Sequence, residues 1–338
     1  HIAEHGFDAL LAVLPEGGRE LYREGDTHER IKRRVEVPSQ CIHHDHTLPE
    51  SWAGRPHREF RESQPQLAGR IRQRYELCLW NLLVKHHWVP FAPNDPFRYN
   101  VHVGLDVGGR HNNRAMACLG YGFSDPRGGL LFRPEEIPID TQKAEPIPTQ
   151  SLYVGLLQLF ESIHQNLSGA GQAPDFDSAL FFRDGGLLGD DNAWNELDAI
   201  KKLHGELFRR GWVSDRSVWT AVEVMKQAED WRLMRLTNEI ANPLVGYCLM
   251  PFDDEDTALV CTTGAPYLTQ GTAGPLKVAI VEVHGAARRD DVLRDLIWSA
   301  DLCFTKVDMG LRLPWVLHVA DAGALQSARS YKITGVTT

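Results

Sequence analysis

Three aspartates share one sequence setting. Asp106 sits in "VHVGLDVGG" (residues 101–109), Asp184 in "ALFFRDGG" (179–186), and Asp321 follows "WVLHVA" (315–320). In each case an apolar run delivers a carboxylate, and in the first two a pair of glycines follows. Carboxyl ends of strands in α/β sheets are where ligands and metals bind. Carboxylates gathered at one place repel unless they are protonated or bridged by a cation. Hard divalent cations such as Mg²⁺ and Mn²⁺ take oxygen ligands, and paired ions clamp the attacking and leaving oxygens of a phosphodiester. Any one of these aspartates alone reads more readily as a turn former or a helix cap. Three in the same setting read better as one cluster.

The elements that must position them follow from periodicity. The front of the chain opens with "FDALLAVLPEGG" (7–18), an apolar strand closed by a Pro/Gly turn. "THERIKRRVEVPSQCI" (27–42) reads as a basic helix that runs through "VPSQ" into a short strand. "QLAGRIRQRYELCLWNLLVKHHWVPF" (66–91) carries apolar residues at helical spacing. Alternating strands and helices predict a small parallel-sheet domain. "APNDPFRYN" (92–100) breaks both periodicities and marks the boundary, giving domains 1–95 and 96–338. Behind it, the Asp106 strand leads into an antiparallel meander, "RAMACLGYGFSD" and "GGLLFRPEEIPI". The helix "SLYVGLLQLFESIHQNL" then precedes the Asp184 strand. A helix "AWNELDAIKKLHGELFRRG", strands "SVWTAVEVMK" and "PLKVAIVEV", and a helix "RDDVLRDLIWSADLCF" complete the pattern. "WVLHVA" reads as a last strand with His318 in the core, and Asp321 as the opening of a final helix.

Composition bounds the class of protein. The 338 residues are 43% hydrophobic and 24% charged, as in an ordinary folded protein. No stretch approaches about 18 consecutive apolar residues, so no membrane span is expected. The six cysteines are scattered without a CxxC pair, which fits a reducing, cytoplasmic setting. The net charge is −9, yet residues 1–95 hold 13 Lys+Arg against 14 Asp+Glu and nine of the 15 histidines. The front is thus near neutral and the back acidic, so any nucleic acid would be held by basic groups lining a groove rather than by overall charge. "HHDH" (43–46) offers imidazoles to a metal or forms a histidine-rich loop. There is no P-loop and no readable Ser-His-Asp arrangement.

In their order along the chain these motifs resemble the MID and PIWI domains of Argonaute proteins. The resemblance runs nearly end to end and implies an α/β fold, a Rossmann-like MID domain followed by an RNase H-like PIWI domain. Asp106 stands where that family's first catalytic aspartate ends a strand. Arg183-Asp184-Gly185 matches its "RDG" element, Gln270-Gly271-Thr272 and Pro275 its "QGT..P", and Leu313-Pro314 through Ala320-Asp321 its last motif. The resemblance implies that Asp106, Asp184 and Asp321 are catalytic and metal-binding residues for Mg²⁺ or Mn²⁺. It places Lys226 and Arg232, in "VMKQAEDWRLM", on the guide backbone. His28, Lys32, Gln40 and Lys85 would grip the 5′ phosphate of a guide, with Arg329 in the last helix contacting the same end. Two ammonium groups, an amide and an imidazole suit a phosphate on chemical grounds too. The bland reading makes Lys32, Arg33 and Arg34 the solvated face of a helix.

The sequence departs from the cutting members of that family. Their fourth acid, a glutamate, falls by position near Gln150 or Ser151, where there is no carboxylate. Glu145 is the nearest substitute, several residues early and followed by Pro146; Glu135 and Glu136 are further off. The chain therefore reads as a binder of a short 5′-phosphorylated guide RNA or DNA and a complementary single-stranded target. It would not cleave that target but signal recognition to an effector protein, as in the short prokaryotic members of defence systems. The alternative is a guide-directed endonuclease that cuts the target with the aspartate cluster and two divalent metals. A metal-dependent nuclease without a guide ranks third.

Overall fold

The computed structural model describes residues 10–14, 39–43, 57–85, 93–108, 114–125, 129–137, 146–187, 194–226, 231–236, 238–250, 256–268, 271–302 and 310–334. The chain divides into two compact units, His1–Pro90 with Arg329–Thr338, and Phe91–Ala328.

In the front unit, β1 (Leu10–Leu14) pairs in parallel with β2 (Ser39–His43), from Leu10 opposite Ser39 to Leu14 opposite His43. Parallel pairing here is what the alternating pattern predicts, while the basic helix expected between the two strands lies outside the described residues. Helices α1 (His57–Ser63) and α2 (Pro65–Lys85) follow. Proline opens α2 because its missing N–H would be unpaired in a first turn anyway. Ile42, Phe60 and Cys78 are buried.

The second unit is built on an eight-stranded mixed sheet. In chain order its strands are β3 (Val101–Gly108), β4 (Arg114–Tyr121), β5 (Leu131–Ile137), β6 (Ser178–Asp184), β7 (Val218–Met225), β10 (Cys248–Leu249), β11 (Thr257–Val260) and β12 (Leu276–His284). A separate two-stranded ribbon joins β8 (Arg235–Leu236) to β9 (Ile240–Ala241). Across the large sheet the order is β10-β11-β12-β7-β6-β3-β4-β5. Its centre, β3, β6 and β7, is parallel, and the flanks are antiparallel. Helices α3 (Thr149–Gly169) and α4 (Glu196–Arg209) precede and follow β6, while α5 (Arg289–Asp301) and α6 (Trp315–Thr334) close the chain.

Central parallel strands are buried on both faces, and β3 shows what each face does. Val101, Val103 and Leu105 join Leu152, Leu156 and Phe160 of α3 and Ile200 and Leu203 of α4 in one apolar cluster. The alternate residues point to the opposite face, where α5 and α6 lie. His102 stands 3.8 Å from Asp295 of α5. Gly104 faces the first turn of α6 so closely that an added Cβ would fall 2.4 Å from backbone atoms of Val316 and Leu317. Asp106 belongs to this second set. The glycine therefore lets α6 close on β3, two residues from the aspartate.

One element differs from expectation. Trp315–Ala320 is not a strand: it forms the first turns of α6, with His318 N–H donating to the Pro314 carbonyl. His318 is half-buried on that helix, and Asp321 lies inside the helix rather than opening it. A six-residue apolar run has no periodicity of its own and reads the same for a buried helix as for a strand. Leu313-Pro314 directly before it is the start signal.

Candidate functional site

The two strand-borne aspartates meet because their strands are neighbours in register. Leu105 pairs with Arg183 across β3 and β6, so Asp106 and Asp184 are the next residues on each, side by side on one face. Asp184 is the last residue of β6, and the chain turns away at Gly185, whose φ of +95° favours glycine. The turn is fastened by Gly185 N–H donating to the Val224 carbonyl at 3.0 Å, and by Leu187 N–H donating to the Glu223 carboxylate at 2.8 Å. Asp321 arrives from α6. Carboxylate oxygens of Asp106, Asp184 and Asp321 all lie within 4.8 Å of one another.

Behind the triad a buried ion pair locks the framework. Arg183, 3% exposed, donates from Nε to Glu196 at 2.7 Å, and Glu196 is fully buried at the start of α4. The Arg183 guanidinium also donates to the Asp184 carbonyl. Glu196 accepts in addition from Ile147 N–H at 2.7 Å, just before α3. Asn195 caps α4 by accepting from Asp198 N–H and exchanges hydrogen bonds with Thr149. The strand end carrying Asp184 and the entries of α3 and α4 are thereby one hydrogen-bonded block.

The electrostatics are those of crowded acids. Burial, then the charge of Asp184, pushes the Asp106 carboxyl up to about 7; Lys226 opposes this and Asp321 reinforces it. Lys226, just past β7, sends its ammonium between the other two acids, 2.5 Å from Asp184 and 2.8 Å from Asp321. Burial pulls the pKa of this lysine down, but hydrogen bonds to both carboxylates and their charges outweigh it and leave it raised. Its backbone is held as well, since the Arg312 guanidinium donates to the Lys226 carbonyl. A hard cation fits three such oxygen donors, and it would relieve the repulsion that raises Asp106.

The other expected residues fall as follows. Arg232 is exposed, with Nη1 donating to the Trp231 carbonyl. Gln40 is on β2, opposite Leu11, Lys85 is the last residue of α2, and Arg329 is on α6; their side chains lie outside the described set. His28, Lys32, Glu145 and Gln270 also lie outside the described residues. Next to Gln270, the Asn242 side chain binds the Gly271 carbonyl and Ala273 N–H at 3.0 and 2.9 Å. Gln150 and Ser151 occupy the first turn of α3. Glu136 shares a cross-strand row with Met116 and Asp106, but two strands away from the aspartate, about 10 Å by strand spacing. Among the described residues, no fourth carboxylate joins the three.

Sequence reading missed the acid contacts of Lys226, the Arg183–Glu196 pair and the two supports Glu223 and Arg312. Arg183 was visible as a charge at the end of an apolar strand, a position that demands a buried partner. Nothing in the spacing of the others identifies them.

The architecture has a counterpart among solved structures. Clostridium butyricum Argonaute, in a structure bound to a guide DNA (5′ deoxycytidine) and a 19-mer target DNA, superimposes with a TM-score of 0.60 over 95% of this chain, at 16% identity. The fold is Argonaute-like. The match spans 37% of the length of that Argonaute, so the chain corresponds to part of it. No protein-family model and no curated protein sequence matches the chain. No helix among the described residues is long and apolar enough to cross a membrane.

Proposed function

We propose that this chain is a guide-dependent nucleic-acid-binding protein. It anchors a short 5′-phosphorylated RNA or DNA in a MID-like domain, residues 1–95. A PIWI-like domain, residues 96–338, presents the guide to a complementary single-stranded target. The observation that carries the reading is the correspondence, over 95% of the chain, with an Argonaute that holds guide and target DNA. His28, Lys32, Gln40, Lys85 and Arg329 take the 5′ phosphate. Exposed Arg232 takes the guide backbone, joined by Lys226 when its ammonium is released from the acids. Such backbone contacts supply affinity without reading sequence, which base pairing then provides.

Binding without cleavage is the better-supported form. The aspartates bear the donor set of a metal site, yet a lysine ammonium lies between two of them. The second reading, a guide-directed endonuclease, is favoured by the convergence of the three carboxylates. In it Asp106, Asp184 and Asp321 would hold Mg²⁺ or Mn²⁺, and paired divalent ions supply charge stabilisation at the attacking and leaving oxygens. The test is a labelled complementary target added to guide-loaded protein in Mn²⁺. The proposal expects the target to be bound and left intact, with Asp184→Ala binding it equally well. Cutting that disappears in Asp184→Ala would establish the endonuclease instead.

A further inference from the structure

We propose that Lys226 is a built-in rival of the divalent cation: its ammonium occupies the position between Asp184 and Asp321 that a metal ion would take, so the site binds metal only by displacing it. The inference adds a regulation to the acid site and rests on the functional reading only in treating the three carboxylates as a cation site.

The geometry leaves room for one cation. The lysine nitrogen is 2.5 Å from an Asp184 oxygen and 2.8 Å from an Asp321 oxygen. A magnesium ion binds carboxylate oxygens at roughly 2.0–2.1 Å, and manganese takes similar oxygen sites. An ion bridging the same two oxygens would overlap the ammonium. The lysine is also delivered there by the fold. Asp184 pairs with Val224 across β6 and β7, which puts Lys226, two residues on, on the same face and one pleat beyond. Arg312, from the segment leading into α6, fixes the Lys226 carbonyl, and α6 carries Asp321. Strand end, helix and lysine thus approach the same point from three directions.

The lysine serves the site as a cation should. Three carboxylates within 4.8 Å cannot all remain charged without a compensating positive group. An ammonium supplies one charge and up to three donors, but it cannot polarise a phosphoryl oxygen as a divalent ion does. A site filled this way keeps its architecture while losing metal affinity. It also links metal to guide: the same ammonium cannot bridge the acids and neutralise a backbone phosphate, so occupation of one position opposes the other.

The experiment is Mn²⁺ binding by calorimetry and electron paramagnetic resonance on the full chain without nucleic acid. Failure of the guide-binding reading therefore leaves its result intact, and the reverse also holds. Lys226→Met, which keeps length and removes charge, should bind Mn²⁺ on the order of tenfold or more tightly than wild type, the equivalent of losing one charge-assisted competitor. Lys226→Arg should stay near wild type, and Lys226→Met with Asp184→Asn should lose the gain. Should Lys226→Met fail to fold, the wild type gives the answer by itself: Mg²⁺ should raise the rate of amine acetylation at Lys226, followed by peptide mass spectrometry, in a saturable way. Lys226→Met that binds Mn²⁺ no more tightly than wild type, or a Lys226 acetylation rate indifferent to Mg²⁺, would overturn the proposal.

Discussion

Replacing Asp106 by asparagine should make the protein more stable at neutral and alkaline pH, because the folded state holds this carboxyl at a cost. Its pKa rises from 3.8 to about 7 through burial and the charge of Asp184, with Lys226 opposing. A group whose folded pKa is raised favours folding while protonated, and that contribution disappears as pH climbs through the folded value. Between pH 5 and pH 7 roughly two units of the shift are traversed, about 3 kcal/mol at 1.36 kcal/mol per unit. For a unit the size of Phe91–Ala328, about 2 °C of melting temperature corresponds to each kcal/mol, which gives about 6 °C. The assay is thermal unfolding of wild type and Asp106→Asn in chelator from pH 5 to pH 8.5. The Asn variant should gain on the wild type as pH rises and hold a constant lead above about pH 8, one unit past the folded pKa. Parallel curves across the range would refute the burial of Asp106 and its crowding by Asp184, on which the site is built.

Other consequences follow from the same contacts. Glu196→Gln leaves the Arg183 guanidinium buried without its counter-charge and should cost about 3–5 kcal/mol in denaturant unfolding. Gly104→Ala drives a methyl into the Val316 and Leu317 backbone; it should destabilise by about 1–3 kcal/mol or more and, by shifting α6, weaken Mn²⁺ binding at Asp321. Lys32→Ala combined with Lys85→Ala should weaken binding of a 5′-phosphorylated guide by about 1.5–3 kcal/mol for each lost ammonium, measured by fluorescence anisotropy.

The parts of this molecule that sequence revealed are those with local causes. β6 was legible because an apolar run ending on an acid before glycines is what a doubly covered parallel strand and its exit turn require. β3 was legible because a mostly apolar run leads to Asp106, although that strand continues two residues past the acid to Gly108. The antiparallel meander of β4 and β5 and the helices α3, α4 and α5 followed from periodicity alone. The start of α6 does not show as a helix in the sequence because Trp315–Ala320, apolar but for His318, is too short to display a helical period. The convergence of the aspartates was legible as a pattern, whereas what fills the space between them was not. Lys226 lies 95 residues from Asp321, and Arg183 lies 13 residues from Glu196, a spacing that carries no signal. Long-range pairing of opposite charges leaves no period in a sequence.

The central claim is that this fold grips a guide by its 5′ end and uses it to find a complement. Anisotropy titrations with one labelled oligonucleotide, carrying either a 5′ phosphate or a 5′ hydroxyl, test it most directly when each is followed by addition of complementary and scrambled strands. The account predicts markedly tighter binding of the phosphorylated guide, and capture of the complementary strand alone. Equal affinity for the two 5′ ends, or capture of both strands alike, would contradict it.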